Sequence, residues 1–256
     1  MKESTFKNIL ACPKCKTALA KTRLQGTCTT CGFAYKKEGG IWHLLYIDQN
    51  HSLDAVAAYD KIHEKPSGRI HDGSYEILAA IARGNKTVDV ACGDGFIEQL
   101  APSTVGVEFS LHALQKAQKN GATHLVLASA EHLPFADNAF DVSMCSGSLE
   151  HFASPQGAIR EMARVSKIQV LVVHRKLSIP GSNGIRKMIL KAKGLPDQPI
   201  DTPLSAKELE RMLIRAHLTV IYKGVWTYPY NLEMITKRLP RLTRFPSCHF
   251  VIAIKN

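Results

Sequence analysis

From residue 86 to the last residue, short apolar runs alternate with stretches in which apolar residues recur every three or four positions. The short runs have the length and the β-branched content of buried strands. Seven of them occur, at residues 86–92, 104–108, 124–128, around Cys145, and at 170–174, 219–226 and 248–254. Strands that alternate with helices predict an open α/β sheet. We therefore expect a seven-stranded, mostly parallel sheet flanked by helices over residues 86–256.

The segment before this domain, residues 46–85, has a different pattern. Apolar residues recur at helical spacing on both sides of Lys65-Pro66-Ser67-Gly68, which interrupts the periodicity. Two amphipathic helices are expected here, forming a helical linker. Its side chains Tyr59, His63 and His71 carry polar groups, but the spacing by itself favours ordinary helix and loop residues.

Charge and hydropathy limit the classes of partner. Lys and Arg exceed Asp and Glu by 33 to 22, a formal charge of +11, which attracts polyanions such as RNA or an anionic surface. No apolar run approaches the roughly 20 residues of a transmembrane segment, and the first residues lack the apolar stretch of an export signal. We therefore expect no transmembrane segment and a cytoplasmic location.

Four of the seven cysteines form two C-x2-C pairs, Cys12 with Cys15 and Cys28 with Cys31, separated by twelve residues. Two such pairs are typical of a tetrahedral zinc site, in which each pair contributes two thiolates. Reduced core cysteines spaced by chance, or a redox pair, are the alternatives. A site closed by four thiolates has no open coordination position, so its expected role is structural or recruiting rather than catalytic.

The sequence around these cysteines resembles a known module. Residues 9–19, 28–35 and 39–45 are similar to the zinc ribbon of the small tRNA-methyltransferase activator proteins, a ribbon that also occurs fused ahead of bacterial and archaeal methyltransferases. The resemblance implies a small N-terminal zinc ribbon over residues 1–45.

A nucleotide-binding pattern follows the first predicted strand of the α/β domain. Gly93-Asp94-Gly95 stands between that strand and a helix-like stretch, where glycines allow a ligand close to the backbone and the helix N-terminus offers N–H groups. Alone, this tripeptide more often indicates an ordinary β-turn. The second strand ends in Glu108, whose carboxylate can accept both hydroxyls of a ribose.

Residues 86–175 resemble the class I methyltransferases, including the quinone-biosynthesis C-methyltransferases. The resemblance lies in the glycine turn, the acid after strand two, Ala130-Glu131-His132-Leu133-Pro134-Phe135, Phe140-Asp141 and Leu149-Glu150-His151. It implies a Rossmann-like fold that binds S-adenosylmethionine, with the helices of residues 46–85 as a lid over the cofactor.

The resemblance also implies a set of cofactor-binding residues. Asp89, Gly93 and Gly95 would hold the methionyl end, Glu108 the ribose, Ser129 and Ala130 the adenine edge and Ser146 the far wall, with Ala91, Phe109 and Glu131 beside them. Two positions depart from the family pattern: Ala91 replaces a glycine and Ser129 replaces an aspartate. Each is compatible with the cofactor, but lower affinity is expected because serine lacks the charge of aspartate.

The catalytic and substrate-binding residues are less constrained. His151, just past the fourth strand, is the candidate general base, although a packing or capping histidine is the alternative; His174, Tyr228 and Tyr230 are weaker candidates. The insertion at residues 175–204 is the candidate substrate cap.

Three functions are compatible with these features. The first is methyl transfer to an oxygen, nitrogen or carbon atom of a small molecule or lipid-like metabolite. The second is RNA base methylation, which the charge and the ribbon favour. The basic residues Arg186, Lys187, Lys191 and Lys193 are equally compatible with phosphate contacts and with a solvated helix face. The third is a non-catalytic zinc-bearing scaffold.

Overall fold

A computed structural model of the chain describes residues 3–19, 24–49, 53–64, 73–174, 188, 200, 202, 204–226 and 248–256. Its strands are β1 Gln25–Thr27, β2 Ala34–Glu38, β3 Ile41–His43, β4 Thr87–Val90, β5 Val105–Glu108, β6 His124–Leu127, β7 Phe140–Ser146, β8 Ser166–His174, β9 Leu218–Trp226 and β10 Cys248–Lys255. Its helices are α1 Glu3–Asn8, α2 Leu53–Glu64, α3 Ser74–Ala82, α4 Phe96–Leu100, α5 Leu111–Lys119, α6 Pro155–Val165 and α7 Ala206–Arg215. Short 3-10 turns lie at Ala130–His132 and Leu149–His151.

All ten strands belong to one sheet, in the order β1-β2-β3-β6-β5-β4-β7-β8-β10-β9. The strands from β3 to β8 in this order pair in parallel, whereas β10 pairs antiparallel with both β8 and β9. The seven predicted strands are present as β4 to β10, and the predicted Rossmann-like α/β class is confirmed. The sheet is three strands wider than the seven predicted, because β1, β2 and β3 extend it.

Alternating side chains of the central strands pack against two different helical layers. In β7, Val142 and Met144 join the cluster formed with α3 and α4, whereas the next residue, Cys145, joins the cluster that contains α6 and α7. A third cluster packs α5 against β3 and β6. The sheet is therefore covered on both faces, which is why its strands are apolar runs rather than alternating ones.

Side-chain caps set where several helices begin. Ser110 and Ser154 accept hydrogen bonds from the third residue of α5 and α6, respectively. Before α7, Ser205 and Glu208 form a reciprocal capping box.

The cysteine-containing segment lies against the α/β sheet. β3 pairs in parallel with β6, and the Leu44 amide donates to the Leu127 carbonyl. At the other side of the segment, Ala11 donates to Pro134 and Ala136 donates to Ile9. The ring of Phe6 lies 5.3 Å from that of His124. Residues 3–19 and 24–45 thus share backbone hydrogen bonds and core with the strands that follow.

Candidate functional site

The site lies where the direction of strand succession reverses. From β4 the chain passes to β5 and then to β6 on one side, and then crosses to β7 on the other side of β4. Ligands of open α/β sheets bind at such a switch point, beyond the carboxyl ends of the strands. A cavity of about 670 Å³ occupies this place. That volume is in the range of small-molecule and cofactor sites.

Gly93 and Glu108 meet at the floor of this cavity. The Gly93 amide donates to one Glu108 carboxylate oxygen at 3.1 Å, and the other oxygen accepts from the amides of Phe109 at 2.7 Å and Ser110 at 3.0 Å. Three N–H donors therefore fix the orientation of this carboxylate. Gly93 has φ +54, and a Cβ built there would find only His63 at the edge of van der Waals contact. The backbone at Gly93 is thus open towards the cavity.

The two flanking positions of the turn differ from Gly93. Ala91 lines the cavity with φ +64, a left-handed conformation that is unfavourable for a residue with a Cβ. Gly95 does not line the cavity: a Cβ there would lie 2.7 Å from that of Ala117. Gly95 is therefore required for the packing of α4 against α5 rather than for contact with a ligand.

Two buried carboxyl groups lie behind the turn. Asp89 is 3% exposed and Glu98 is not exposed. Burial raises the pKa of both groups, and the neighbouring Glu98 and Glu108 raise that of Asp89 further. The pKa of Glu98 rises to about 7. Asp89 does not line the cavity, so its expected contact with the methionyl end would have to be indirect.

The helix α2 covers the cavity. Tyr59 and His63 line it, and the Tyr59 hydroxyl donates to the His151 carbonyl at 2.8 Å. Burial lowers the pKa of His63, but the hydrogen bond with Asp94 and the charge of Glu108 outweigh this effect and raise it. The two side chains judged from spacing to be ordinary helix residues therefore belong to the cavity wall. His71 lies outside the described residues.

Residues that follow β6 form another part of the wall. Ala130 and Glu131 line the cavity. Ser129 does not line it: its hydroxyl donates to the Glu131 carboxylate at 2.5 Å and accepts from the Glu131 amide. The other Glu131 oxygen accepts from the Ser154 amide, at the start of α6.

The residues after β7 form the opposite wall. Gly147, Ser148 and His151 line the cavity, whereas Ser146 does not. His151 Nδ1 lies 2.8 Å from the Ile200 carbonyl oxygen. Its neighbour Glu150 is 1% exposed and contacts His174 Nδ1. Burial opposes ionisation of Glu150, but the hydrogen bond and charge of His174 outweigh it and lower the carboxyl pKa.

The structure thus brings most of the expected set together. Those that line the cavity are Ala91, Gly93, Glu108, Phe109, Ala130, Glu131 and His151; those that do not are Asp89, Gly95, Ser129 and Ser146.

Sequence reasoning missed Gly147 and Ser148, because the end of β7 was not fixed to the residue. It also missed Asp54, Ala58 and Gln49, for which no motif gives a signal. The predicted insertion at 175–204, with its basic residues, falls almost wholly outside the described residues, as do Tyr228 and Tyr230.

The four cysteines form a second site. Cys12 and Cys31 have their sulfurs 3.5 Å apart, and those of Cys15 and Cys28 are 3.4 Å apart. Tetrahedral bonds of about 2.3 Å to zinc would separate two sulfurs by roughly 3.8 Å. The two pairs have matching backbones: the Lys16 amide donates to Cys12 and the Gly32 amide to Cys28, with φ +63 and +72. The two turns therefore have the same backbone conformation, and together they bring the four sulfurs within 4.8 Å of one another.

Part of this chain is similar in sequence to known methyltransferases. Residues 88–173 match the family described as a methyltransferase domain. A demethylmenaquinone methyltransferase of Corynebacterium kroppenstedtii is 39% identical over 88 residues, which cover 33% of this chain and 38% of that protein. The chain thus matches well under half of that relative's length.

Solved structures share the architecture. A putative methyltransferase from Bacillus halodurans superposes with a TM-score of 0.52 at 19% identity, covering 72% of this chain and 99% of the other. A structure of the Haloferax volcanii Trm112 methyltransferase activator in complex with a putative methyltransferase gives a TM-score of 0.56 at 18% identity, covering 78% and 94%. The fold is that of the Rossmann-like methyltransferases. Within its described residues, this methyltransferase fold contains no helix with the length and apolar character that crossing a membrane requires.

Proposed function

We propose that the chain transfers the methyl group of S-adenosylmethionine to a small-molecule acceptor. The observation that carries the proposal is the pairing of Gly93 with Glu108 at the sheet's switch point. An open glycine backbone beside a carboxylate held by three amides suits a ligand with a ribose and a charged amino-acid end. The match of residues 88–173 to the methyltransferase-domain family supports the same cofactor.

S-adenosylmethionine supplies an activated methyl group on a sulfonium, so the chain's own task is alignment and exclusion of water. Glu108 would hold the ribose hydroxyls, and Ala130 and Glu131 would border the adenine. The helix α2, with Tyr59 and His63 on the cavity wall, would shield the reacting groups from solvent. The similarity to a demethylmenaquinone methyltransferase supports a small acceptor rather than RNA.

We propose further that Cys12, Cys15, Cys28 and Cys31 bind one zinc ion. The paired turns and the sulfur separations support this site, and four thiolates would leave no open position for chemistry. Its role would be to stabilise the segment that extends the sheet through β3.

Calorimetric titration with S-adenosylmethionine tests the cofactor site. We expect wild-type protein to bind and Glu108→Gln to bind at least about tenfold more weakly, because charge-assisted hydrogen bonds contribute about 1.5–3 kcal/mol. Glu210→Gln, at an exposed glutamate paired with Lys223, is the matched control and should bind like wild type. Circular dichroism checks that both variants fold.

If the folded wild-type protein shows neither binding nor thermal stabilisation by the cofactor, the scaffold interpretation replaces this proposal. Where the cofactor binds, a second experiment follows methyl transfer from labelled cofactor into separated small-molecule and RNA fractions of a cell extract. Label in the small-molecule fraction supports the proposed acceptor class, and label confined to RNA supports the alternative that the basic charge favours.

A further inference from the structure

A second group of metal-binding side chains lies apart from the cysteines, at the wall of the cavity. Glu150 and His151 belong to the 3-10 turn after β7, and His174 is the last residue of β8. One ligand atom from each of the three lies within 4.8 Å of the others. We propose that Glu150, His151 and His174 bind one divalent transition-metal ion.

Glu150 supplies the first argument. Its side chain is 1% exposed, and one oxygen is oriented towards the two imidazoles, in contact with His174 Nδ1 and 3.9 Å from His151 Nε2. The other oxygen is buried without a hydrogen-bond partner in the described part of the chain. The buried carboxylate therefore has few hydrogen bonds to stabilise its charge, and a divalent ion bound to the oxygen between the imidazoles, in place of the hydrogen on His174 Nδ1, would stabilise it.

The orientation of His151 supplies the second argument. A carbonyl oxygen only accepts hydrogen bonds, so the nitrogen 2.8 Å from the Ile200 oxygen, Nδ1, carries the hydrogen. Neutral His151 therefore has its lone pair on Nε2, the nitrogen nearer Glu150. Metal-binding histidines are commonly held in this way, with the other ring nitrogen donating to a backbone carbonyl. The single lone pair on Nε2 cannot both bind a metal ion and accept a proton. Metal binding therefore replaces the general-base role expected for His151.

The ligand set indicates the class of ion. Two imidazoles and one carboxylate suit iron, cobalt or zinc in the divalent state, whereas calcium and magnesium prefer oxygen ligands throughout. Three protein ligands leave coordination positions open, unlike the closed set of four cysteines. Gly147 and His151 line the cavity, so an open position is accessible from it. There the ion would bind an oxygen atom of the methyl acceptor, a role that, unlike metal binding itself, rests on the proposed function.

Metal analysis followed by calorimetric titration with Co²⁺ tests the site in the full chain. We expect wild type to hold or take up one metal equivalent that Glu150→Gln and His174→Ala lack or bind more than about tenfold more weakly, since even outer-shell partners of a metal contribute that much. His112→Ala, at a half-exposed histidine on α5, is the matched control and should retain the full content. Cys12→Ser should lose a different equivalent and keep this one.

Equal metal content and Co²⁺ affinity in wild type, Glu150→Gln and His174→Ala would overturn the inference. So would a total wild-type metal content, measured after the Co²⁺ titration, that is accounted for entirely by the equivalent that Cys12→Ser loses. His174 is partly exposed, so we expect His174→Ala to fold even if the buried substitution Glu150→Gln does not. The site is then tested by His174→Ala alone. S-adenosylmethionine binding by the same samples separates the two proposals: intact metal binding without cofactor binding overturns only the proposed function, and the reverse overturns only the metal site.

Discussion

Glu98 is the residue whose environment differs most from what its position in the sequence suggests. It lies in the first turn of α4, where an acidic side chain normally faces solvent, yet it is fully buried. A Cβ at Gly106 would lie 3.3 Å from its carboxyl oxygen, so the absence of a side chain in β5 makes room for it. Periodicity could not predict this burial, because it depends on a glycine in another strand.

The raised pKa of Glu98 predicts a pH dependence of stability. Burial raises this pKa from 4.5 to about 7, so the folded protein retains a proton that the unfolded chain releases at lower pH. The stabilisation is fully present below pH 4.5 and is lost as the pH rises through about 7. The loss is on the order of 3 kcal/mol.

Glu98→Gln cannot ionise, so we expect its free energy of unfolding to fall less between pH 5 and pH 8 than that of wild type. Denaturant unfolding at the two pH values measures the difference. Glu210→Gln, at an exposed position, should behave like wild type. An equal fall in wild type and Glu98→Gln would show that Glu98 is already ionised at pH 5 in the folded protein.

Residues at strand ends were the most predictable part of the site. Gly93 and Glu108 follow adjacent parallel strands, whose carboxyl ends meet at one edge of the sheet, so their proximity follows from the alternation of strands and helices. The role of Ser129 was not predictable. Its hydroxyl is engaged by Glu131, two residues later, and such local hydrogen bonds compete with contacts that a family pattern suggests.

At the scale of elements, β4 to β10 could be predicted because each is a compact apolar run. The strands β1, β2 and β3 could not, since they have only three to five residues and β2 carries four polar or exposed positions. The pairing of β3 with β6 joins residues more than 80 positions apart. Nothing local in the sequence encodes that contact, so the extension of the sheet became apparent only in three dimensions.

The turn of the first cysteine pair is joined to α6 by an ionic network. Lys16 Nζ lies 2.7 Å from Glu161, and Arg164 donates to the same carboxylate and to the carbonyls of Leu133 and Phe135. Burial alone would raise the pKa of the Glu161 carboxyl. The contacts with Arg164 and Lys16 outweigh burial, so this pKa is lowered. Glu161 is therefore the shared acceptor of two cations.

This network predicts that substitutions of Lys16 and of Glu161 lower the free energy of unfolding by different amounts. Lys16→Met leaves Glu161 paired with Arg164, so we expect a loss of about 1 kcal/mol in the free energy of unfolding. Glu161→Gln removes the shared carboxylate from both Lys16 and Arg164, of which Arg164 keeps Asp137, and should cost more, about 2 kcal/mol. Lys36→Met, in an exposed pair with Glu38, should change stability by less than about 0.5 kcal/mol.

Denaturant unfolding measures all three variants. The order Glu161→Gln, Lys16→Met, Lys36→Met, from most to least destabilised, is the informative result. If Lys16→Met and Lys36→Met are equally stable, the network does not bind the cysteine turn to α6.

At the scale of the whole molecule, the shared sheet makes the cysteine segment part of the structure that forms the cavity at the switch point. β3 pairs with β6, and three residues that follow β6, Ala128, Ala130 and Glu131, line the cavity. The Leu44 amide also donates to Leu127, the last residue of β6. Loss of order around the cysteines should therefore propagate along this pair of strands to the part of the cavity wall that follows β6.

Zinc removal tests this continuity. We expect Cys12→Ser, or wild type treated with a strong chelator, to unfold in a single transition lowered by about 10 °C, because several kcal/mol of metal binding is lost and each kcal/mol corresponds to about 2–4 °C in a chain of this size. S-adenosylmethionine should bind more weakly to both. Cys145→Ala, at a buried cysteine of β7, should keep its zinc, and added Zn²⁺ should restore the treated wild type but not Cys12→Ser. Two separate transitions, with cofactor affinity unchanged after zinc removal, would instead show that residues 3–45 fold independently, and the β3–β6 pairing would then be a contact between two autonomous units.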